Sequence, residues 1–184
     1  TLDEEEEKAL RTYDFMTRKP LIVVVNLDEE QMRSDSYPQK EELEQELARL
    51  NLPLIKVSAQ IETEINELDG EDAKVFLEEL GLEDTGIARL ARTVYQHLGL
   101  MSFFTVGETE VRAWTIKIGT AAKQAAGKIH SDIERGFIRA EVVAYDDLVA
   151  CGSTQVAKEK GRFRLEGKEY IVQDGDIITF RFNV

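Results

Sequence analysis

The pattern of apolar residues changes at Gly99, and this change limits the possible folds more than any other feature. Before it, two short apolar runs at residues 21–27 and 54–57 alternate with segments whose apolar residues repeat at helical spacing. From Phe103 onward, most apolar residues instead lie in short runs or alternate with polar ones, as in β-strands. We therefore expect two domains, residues 1–99 and residues 100–184.

The first segment has the pattern of an α/β domain. Its two apolar runs lack polar alternation, which is typical of strands covered on both faces in a parallel sheet. Helices are predicted at residues 38–50, around Ile61, Ile65 and Leu68, between Gly70 and Gly81, and at residues 87–98. The acidic residues 1–19 are expected to end a helix that begins before residue 1. Strands and helices alternating in this way indicate a parallel sheet with helices on its faces.

The second segment is expected to form a small mixed sheet crossed by one helix. The predicted strands are residues 111–118, 137–145, 163–165, 170–172 and 177–182, and the predicted helix is residues 123–132. This order suits a compact β-grasp, ubiquitin-like fold, which places the second segment in the α+β class.

The net charge of -13 is distributed unevenly along the chain. Residues 1–99 carry 11 Lys and Arg against 24 Asp and Glu, whereas residues 100–184 carry 12 against 12. An acidic surface repels phosphate backbones at long range, so any contact with nucleic acid is expected from the second segment.

The cysteine content and the apolar runs indicate the compartment. Cys151 is the only cysteine, so it cannot form an internal disulfide. The chain shows no charged-then-apolar leader, and its apolar runs are far shorter than the roughly 20 residues of a membrane-spanning helix. We expect a reducing, cytoplasmic setting and no membrane partner.

Two polar motifs follow the two predicted buried strands, at the strand ends where open α/β sheets bind ligands. They are Asn26-Leu27-Asp28-Glu29 and Ser58-Ala59-Gln60. At this position P-loop GTPases carry Asn-Lys-x-Asp, whose carboxylate accepts hydrogen bonds from two guanine N–H groups. Here Leu27 replaces the Lys and the longer Glu29 replaces the Asp, which misplaces the carboxylate for guanine. The main-chain N–H and C=O of Leu27 match the edge of adenine.

We therefore predict an adenine-preferring nucleotide site. Its candidate residues are Asn26, Leu27, Glu29, Ser58, Ala59 and Gln60. The alternative is a buried strand that leads into an acidic, solvated turn, since short motifs of this kind arise by chance and serine commonly occupies turns.

Longer runs resemble a known family. They are FFTVG at residues 103–107, EVRAWT at 110–115, AAGKIHSD at 125–132, ERGFIRAEV at 134–142 and YIVQDGD at 170–176. These runs resemble the TGS domain of YchF-type (Obg-like) P-loop ATPases. Asn26 and Glu29 also resemble the Asn-x-x-Glu that this family carries in place of the GTPase motif.

The resemblance implies that the chain is the carboxy-terminal half of such a protein. It would contain the end of an inserted helical segment, part of the P-loop nucleotide domain with the base-recognition motif, and a TGS domain. It further implies that the residue at Leu27 contacts adenine through its main chain.

No phosphate-binding loop is found in the 184 residues. Such a loop needs Gly-x-x-x-x-Gly-Lys-Ser/Thr, whose backbone N–H groups surround the phosphates. Gly127-Lys128 does not complete it, because Ala122 and Ile129 occupy the positions of the first glycine and the hydroxyl. We expect ATP as the cofactor of the full protein, Mg²⁺ held by residues outside this chain, and no catalytic residue within it.

Basic residues of the second segment are candidates for contacting RNA, because TGS domains resemble RNA-contacting modules in synthetases and ribosome-linked factors. The candidates are Lys117, Lys128, His130, Arg135 and Arg139. The alternative is that these residues only keep one face of the domain solvated. No metal site is expected, since no cysteine or second histidine lies near His130 in sequence and His97 lies in an amphipathic helix.

Two functions are therefore open. As the resemblance implies, the full protein would hydrolyse ATP and couple its nucleotide state to a ribosomal or RNA partner, with no DNA partner expected. The alternative is a non-enzymatic regulatory or binding module that acts through its TGS domain.

Overall fold

The computed structural model describes residues 3–10, 12–107 and 109–183. The chain divides into two compact units, Thr1–Leu98 and Gly99–Val184. The fold class expected from the sequence, α/β followed by a β-grasp, is confirmed.

The first unit is built on two parallel strands and six helices. Its strands are β1 (Val23–Asn26) and β2 (Leu54–Val57), and its helices are α1 (Glu4–Leu10), α2 (Glu29–Ser34), α3 (Lys40–Leu50), α4 (Ala59–Glu67), α5 (Gly70–Glu79) and α6 (Gly86–His97). A short 3-10 helix spans Met16–Arg18. The parallel register runs from Val23 opposite Leu54 to Asn26 opposite Val57, so both strands end at the same edge of the sheet. The buried apolar residues of this unit are Leu27, Leu47, Ile55, Ile61 and Ile65.

Helix α2 was not predicted from the sequence. Its amino end is closed by a capping box, in which the Asp28 carboxylate accepts from the Gln31 N–H and the Gln31 side chain accepts from the Asp28 N–H. Asp35 ends the helix in the left-handed conformation. Two side-chain hydrogen bonds at its amino end therefore stabilise a helix that is too short to show an apolar stripe.

The second unit is a five-stranded sheet with four helices. Its strands are β3 (Leu100–Val106), β4 (Val111–Lys117), β5 (Phe137–Ala144), β6 (Arg164–Glu166) and β7 (Asp176–Phe182), and its helices are α7 (Ala122–Ile129), α8 (Ser131–Arg135), α9 (Tyr145–Cys151) and α10 (Thr154–Glu159). The sheet order is β4-β3-β7-β5-β6, with β3 parallel to β7 and the other neighbours antiparallel. First and last strands lying side by side at the centre of the sheet are the mark of a β-grasp.

Apolar side chains lie on both faces of this sheet. One face carries the main core, in which Phe103 and Val142 are fully buried together with Ala125 of α7. On the other face Val143 and Ile177 pack with Ala157 of α10. Arg139 and Glu141 share this second face with Val143, because side chains two positions apart on a strand point the same way.

Three local predictions for this unit need correction. The predicted helix 123–132 is two helices, because His130 leaves the helical conformation between α7 and α8. Residues 170–172 form an isolated bridge, Ala121 with Ile171, rather than a strand. Strand β3 and helices α9 and α10 were not predicted.

The segment before β7 is held by a buried carboxylate in addition to the isolated bridge. Asp176 is 2% exposed and accepts hydrogen bonds from the Tyr170 hydroxyl at 2.7 Å and the Gln173 N–H at 2.9 Å. Burial, and next the hydrogen bond to Asp176, raise the pKa of Tyr170 to about 12. This explains why residues 170–172 are ordered without belonging to the sheet.

Among the residues that the structure describes, no helix is both long and apolar enough to cross a bilayer. Within the described ranges the longest α-helix, α6, has 12 residues.

A β-bulge near the start of β5 sets the direction of its side chains. Phe137 lies opposite Phe182 and Arg139 opposite Arg181, so Ile138 is one extra residue on β5. The extra residue lets Phe137 pack on the main core while Arg139 points to the other face. Without it, residues 137 and 139 would share a face.

The chain approaches itself very closely beside the bulge. A Cβ atom added to Gly136 would lie 2.0 Å from the main-chain oxygen of Asn183 and 2.8 Å from its carbonyl carbon. The Asn183 N–H also donates to the Gly136 carbonyl at 2.9 Å. Only glycine fits here, because the obstacle is backbone that is itself hydrogen-bonded.

We predict that Gly136→Ala destabilises the second unit by roughly 1–3 kcal/mol, because the methyl group displaces β7 from β5. The test is thermal unfolding followed by the fluorescence of Trp114, the single tryptophan. Gly167→Ala is the matched control, since nothing lies within 4 Å of its added Cβ. Equal melting temperatures for the two variants would contradict the prediction.

In the first unit a network of charges joins β2 to the segment between α2 and α3. The Lys56 ammonium donates to Asp35 at 2.7 Å and lies 2.9 Å from Glu44. It also lies 5.6 Å from the centre of the Tyr37 ring. Hydrogen bonds from Lys40 and then Lys56 lower the pKa of Asp35, and the bond from Lys56 lowers the pKa of Glu44. The bond to Asp35 raises the pKa of Lys56.

The network should make the first unit sensitive to acid. Because the folded-state pKa values of Asp35 and Glu44 lie below their ordinary values of 3.8 and 4.5, their stabilisation is present above those values and disappears as the pH falls further. We predict that Lys56→Met in the complete protein lowers the urea midpoint at about pH 7, and that this difference narrows steadily as the pH falls below about 4. Unfolding is followed by far-UV circular dichroism.

Lys74→Met is the control for this experiment, since the Lys74 ammonium lies 3.0 Å from Glu71 in an exposed pair. Its urea midpoint should stay near that of the wild type across this pH range. A pH-independent effect of Lys56→Met would show that Lys56 acts by packing and not through its carboxylate partners.

Candidate functional site

The two predicted motifs meet at the carboxyl edge of the β1–β2 sheet. The Asn26 side-chain oxygen accepts a hydrogen bond from the Ala59 N–H at 2.9 Å. One residue further on, the Leu27 N–H donates to the Val57 carbonyl at 2.8 Å. Together these bonds tie the end of β1 to the start of α4, and we call this pair of bonds the strand-end clamp.

The strand-end clamp limits what Leu27 can offer a ligand. Its N–H is already donated to Val57, and its side chain is 4% exposed. The expectation that both main-chain groups of Leu27 face a base is therefore wrong for the N–H. Only the carbonyl oxygen of this residue can serve as a main-chain partner for a base.

Glu29 is the first residue of α2. Its carboxylate pairs with the guanidinium of Arg33 at 2.7 Å, one turn along the same helix. Both side chains are about half exposed, so this is a surface pair that a ligand can open at small energetic cost. Glu29 is thus near the strand edge but held along its own helix in the ligand-free molecule.

The second motif divides into a structural residue and two exposed ones. Ser58 is 2% exposed, and its hydroxyl accepts from the Ile61 N–H at 3.5 Å as the amino-terminal cap of α4. Ala59 and Gln60 are exposed at the edge. The Gln60 amide donates to Glu64 at 3.1 Å, one turn along α4.

Helix α6 is hydrogen-bonded to both β2 and α4 near this edge, a contact that was not predicted from the sequence. The Arg89 guanidinium donates to the Lys56 carbonyl of β2 at 2.9 Å, and the Gly86 N–H donates to the Glu62 carboxylate of α4 at 2.5 Å. A Cβ atom added to Gly86 would contact Glu62 and Val57 at 3.1 Å or less. The sequence feature that could have indicated the start of α6 is Thr85, whose hydroxyl accepts a hydrogen bond from the Ala88 N–H and caps the helix.

The five basic candidates of the second unit have unequal surroundings. Lys117 ends β4, and Lys128 lies in the last turn of α7. The His130 ring nitrogen Nδ1 accepts from the Asp132 N–H at 3.2 Å and so caps α8. Arg135 pairs with Asp132 and lowers the pKa of that carboxyl.

The last candidate, Arg139, lies on β5 with its guanidinium 4.0 Å from Glu141. Arg181, which lies directly opposite Arg139 on β7, was not among the predicted residues. The two arginines are more than 40 residues apart in the sequence, so no local sequence pattern indicates that they are paired. His130 and Arg135 are therefore engaged in local structure, whereas Arg139 has a second cation beside it.

Within the described parts of the chain, no group of three or more His, Cys, Asp or Glu residues is arranged to hold a metal ion. The acidic side chains near the strand edge are instead used in caps and ion pairs, as Asp28 and Glu29 are.

Comparison with known proteins identifies the family. The family model described as "YchF-GTPase_C: Protein of unknown function (DUF933)" matches residues 100–183. The "Ribosome-binding ATPase YchF" of Bacillus subtilis (strain 168) is 50% identical over 182 residues, which cover 98% of this chain and 50% of that protein. The protein of the same name from Haemophilus influenzae (strain ATCC 51907 / DSM 11121 / KW20 / Rd) is 45% identical over 183 residues, covering 100% and 50%.

A solved structure, "Structure of the Schizosaccharomyces pombe YchF GTPase", superposes with a TM-score of 0.83 at 29% identity. It covers 98% of this chain and 48% of that one. This chain thus spans about half the length of the relatives it matches. The family expected from the residue motifs is confirmed on these matches, and the chain belongs to the YchF family.

Proposed function

We propose that the first unit supplies the base-recognition part of an ATP site. The observation that carries this proposal is the strand-end clamp, in which Asn26 fixes the edge where ligands of open α/β sheets bind. Around it lie the Leu27 carbonyl, which accepts from an exocyclic amine such as that of adenine, and the exposed Ala59 and Gln60. Glu29 would leave Arg33 and turn toward the base.

The choice of adenine over guanine rests on acceptor chemistry. Leu27 offers a carbonyl oxygen, whereas guanine carries its own carbonyl oxygen where adenine carries the exocyclic amine, so guanine would place two acceptors against each other. The printed names of the relatives include both an ATPase and a GTPase. A direct comparison of the two bases therefore decides this part of the proposal.

Hydrolysis would belong to the complete protein. The 184 residues contain no phosphate-binding loop, and we assign no catalytic residue and no Mg²⁺ ligand to them. The relatives named ribosome-binding ATPases support ATP hydrolysis and ribosome binding as activities of the whole. We assign the second unit as a TGS domain that contacts the ribosome, in a cytoplasmic setting, with no membrane or DNA partner.

The second candidate function is a non-enzymatic ribosome-binding module. The well-formed core of the second unit favours it, since this unit has a complete sheet with apolar residues on both faces. In that case the strand-end clamp would be structural only. The two candidates differ in whether the first unit binds a base.

We predict that the 184-residue chain shows no ATP turnover above background, because the phosphates and Mg²⁺ lack their ligands. In the complete protein, adenosine should shift the amide NMR signals of Glu29, Ala59 and Gln60, and guanosine at the same concentration should shift them less. Asn26→Ala, which opens the strand-end clamp, should abolish the adenosine shifts.

Ser34→Ala is the control for Asn26→Ala, because the Ser34 hydroxyl only donates to the Glu30 carbonyl within α2. It should leave the shifts unchanged. Turnover that a substitution within residues 1–184 abolishes would overturn the assignment of catalysis to the rest of the protein. Equal shifts with both nucleosides would overturn the adenine preference.

We further predict that residues 100–184 fold alone, whereas residues 1–99 do not. The second unit has two packed apolar clusters, whereas the first has two short strands whose residue Val24 is 46% exposed. The measurement is amide hydrogen exchange on the two pieces made separately. Protected β1 and β2 amides in a monomeric first piece, or an unprotected second piece, would place the domain boundary elsewhere.

A further inference from the structure

Two arginines face each other across the centre of the second unit's sheet. Arg139 on β5 and Arg181 on β7 are direct cross-strand partners, and their side chains are 52% and 54% exposed. Like charges in this position destabilise a sheet unless something compensates them. The repulsion between these two guanidinium groups must therefore be offset by neighbouring side chains.

Glu141 supplies part of the compensation. Its carboxylate is 13% exposed and accepts two hydrogen bonds from Arg181, from Nε at 2.9 Å and from Nη2 at 3.2 Å. These bonds, more than any other cause, lower the pKa of Glu141. Arg139 is 4.0 Å away, at the limit of an ion pair. Arg181 is thus fixed in position while the fork of Arg139 stays open to solvent.

A third cation stands on the neighbouring helix. Lys158 of α10 holds its ammonium 5.2 Å from the centre of the Phe163 ring. Phe163 packs against Val143, two residues after Glu141 on the same face of β5. The field of Lys158 also acts on Glu141. These four side chains comprise three cations and one carboxylate, so together they carry an excess of two positive charges.

The geometry of β5 is adapted to this arrangement. The bulge at Ile138 lets Phe137 stay in the main core while Arg139 turns to the face that carries Arg181. Bulges of this kind commonly redirect a side chain toward a functional face.

We propose that Arg139, Arg181 and Lys158 form a phosphate-binding surface, the arginine face, through which this chain contacts ribosomal RNA. This inference rests on the proposed ribosome binding. Guanidinium forks match phosphate oxygens with two parallel hydrogen bonds. The whole chain carries -13, so attraction to RNA has to come from a local excess of positive charge.

The surroundings favour RNA over a protein partner. Protein interfaces depend on apolar or aromatic side chains that become buried at their centre. The residue facing Glu141 on β7 is Thr179, which is exposed and polar, whereas the residue facing it on β6 is Leu165, which is 65% exposed. Leu165 lies on the β6 side, away from the β5–β7 pair that carries both arginines, so charge and hydrogen-bond donors dominate where Arg139 and Arg181 meet, as contacts to a phosphate backbone require.

The test compares ribosome pelleting with binding to deproteinised ribosomal RNA, using the 184-residue chain. The double variant Arg139→Gln/Lys158→Gln removes two cations and keeps the pair between Arg181 and Glu141. It should weaken binding to both targets about tenfold or more. The slope of log affinity against log salt should fall by about 2, one unit for each lost phosphate contact.

Two further variants sharpen the test. Lys123→Gln/Lys168→Gln removes the same charge from exposed positions away from this face and should change binding little. Glu141→Gln removes the carboxylate and keeps all three cations, so it should strengthen RNA binding. Trp114 fluorescence confirms that each variant folds.

The outcomes separate the two proposals. If the wild type pellets with ribosomes and the Arg139→Gln/Lys158→Gln variant does so equally well, the arginine face is wrong and ribosome binding stands. If the variant loses ribosomes but the wild type does not bind free ribosomal RNA, the face contacts a protein and the RNA assignment is overturned. If the wild type binds RNA through this face but not ribosomes, the proposed function fails alone. Binding of the wild type to neither target overturns both proposals.

Discussion

Parallel strand pairing is the constraint from which both units of this chain are built. Two parallel neighbours cannot be joined by a hairpin, so the chain has to leave the sheet and return. In the first unit α2 and α3 make that return between β1 and β2. In the second unit nearly everything between β3 and β7 does so. The same constraint brings the ends of β1 and β2 to one edge, where Asn26 reaches Ala59.

The parts of the fold that could be predicted from sequence are those with long apolar patterns. Helices α3, α4 and α6 each span at least two turns of such a pattern, and β2 has the predicted bounds. Helices α2, α9 and α10 have six or seven residues and end at polar caps or at a left-handed residue such as Gly152. Their stability depends on single side-chain bonds and on tertiary contacts, which apolar spacing does not record.

The candidate site shows the same division. Residue types at the strand ends predicted which side chains lie near the edge, because parallel strands end at the same edge of a sheet. They did not predict that the Leu27 N–H is donated to Val57, which depends on the register between segments 30 residues apart. Nor could they pair Arg139 with Arg181, since that pairing depends on the register between two strands whose arginines are more than 40 residues apart in sequence.

The bulge at Ile138 has a consequence for how relatives of this chain are compared. Substitutions in β5 leave each position on its own face, but the loss or gain of one residue there exchanges the faces of everything before it. A one-residue gap in an alignment at this point would therefore mean that Phe137 and its neighbours had turned from the core to the solvent. For this strand the number of residues is part of the structural information, independently of their identity.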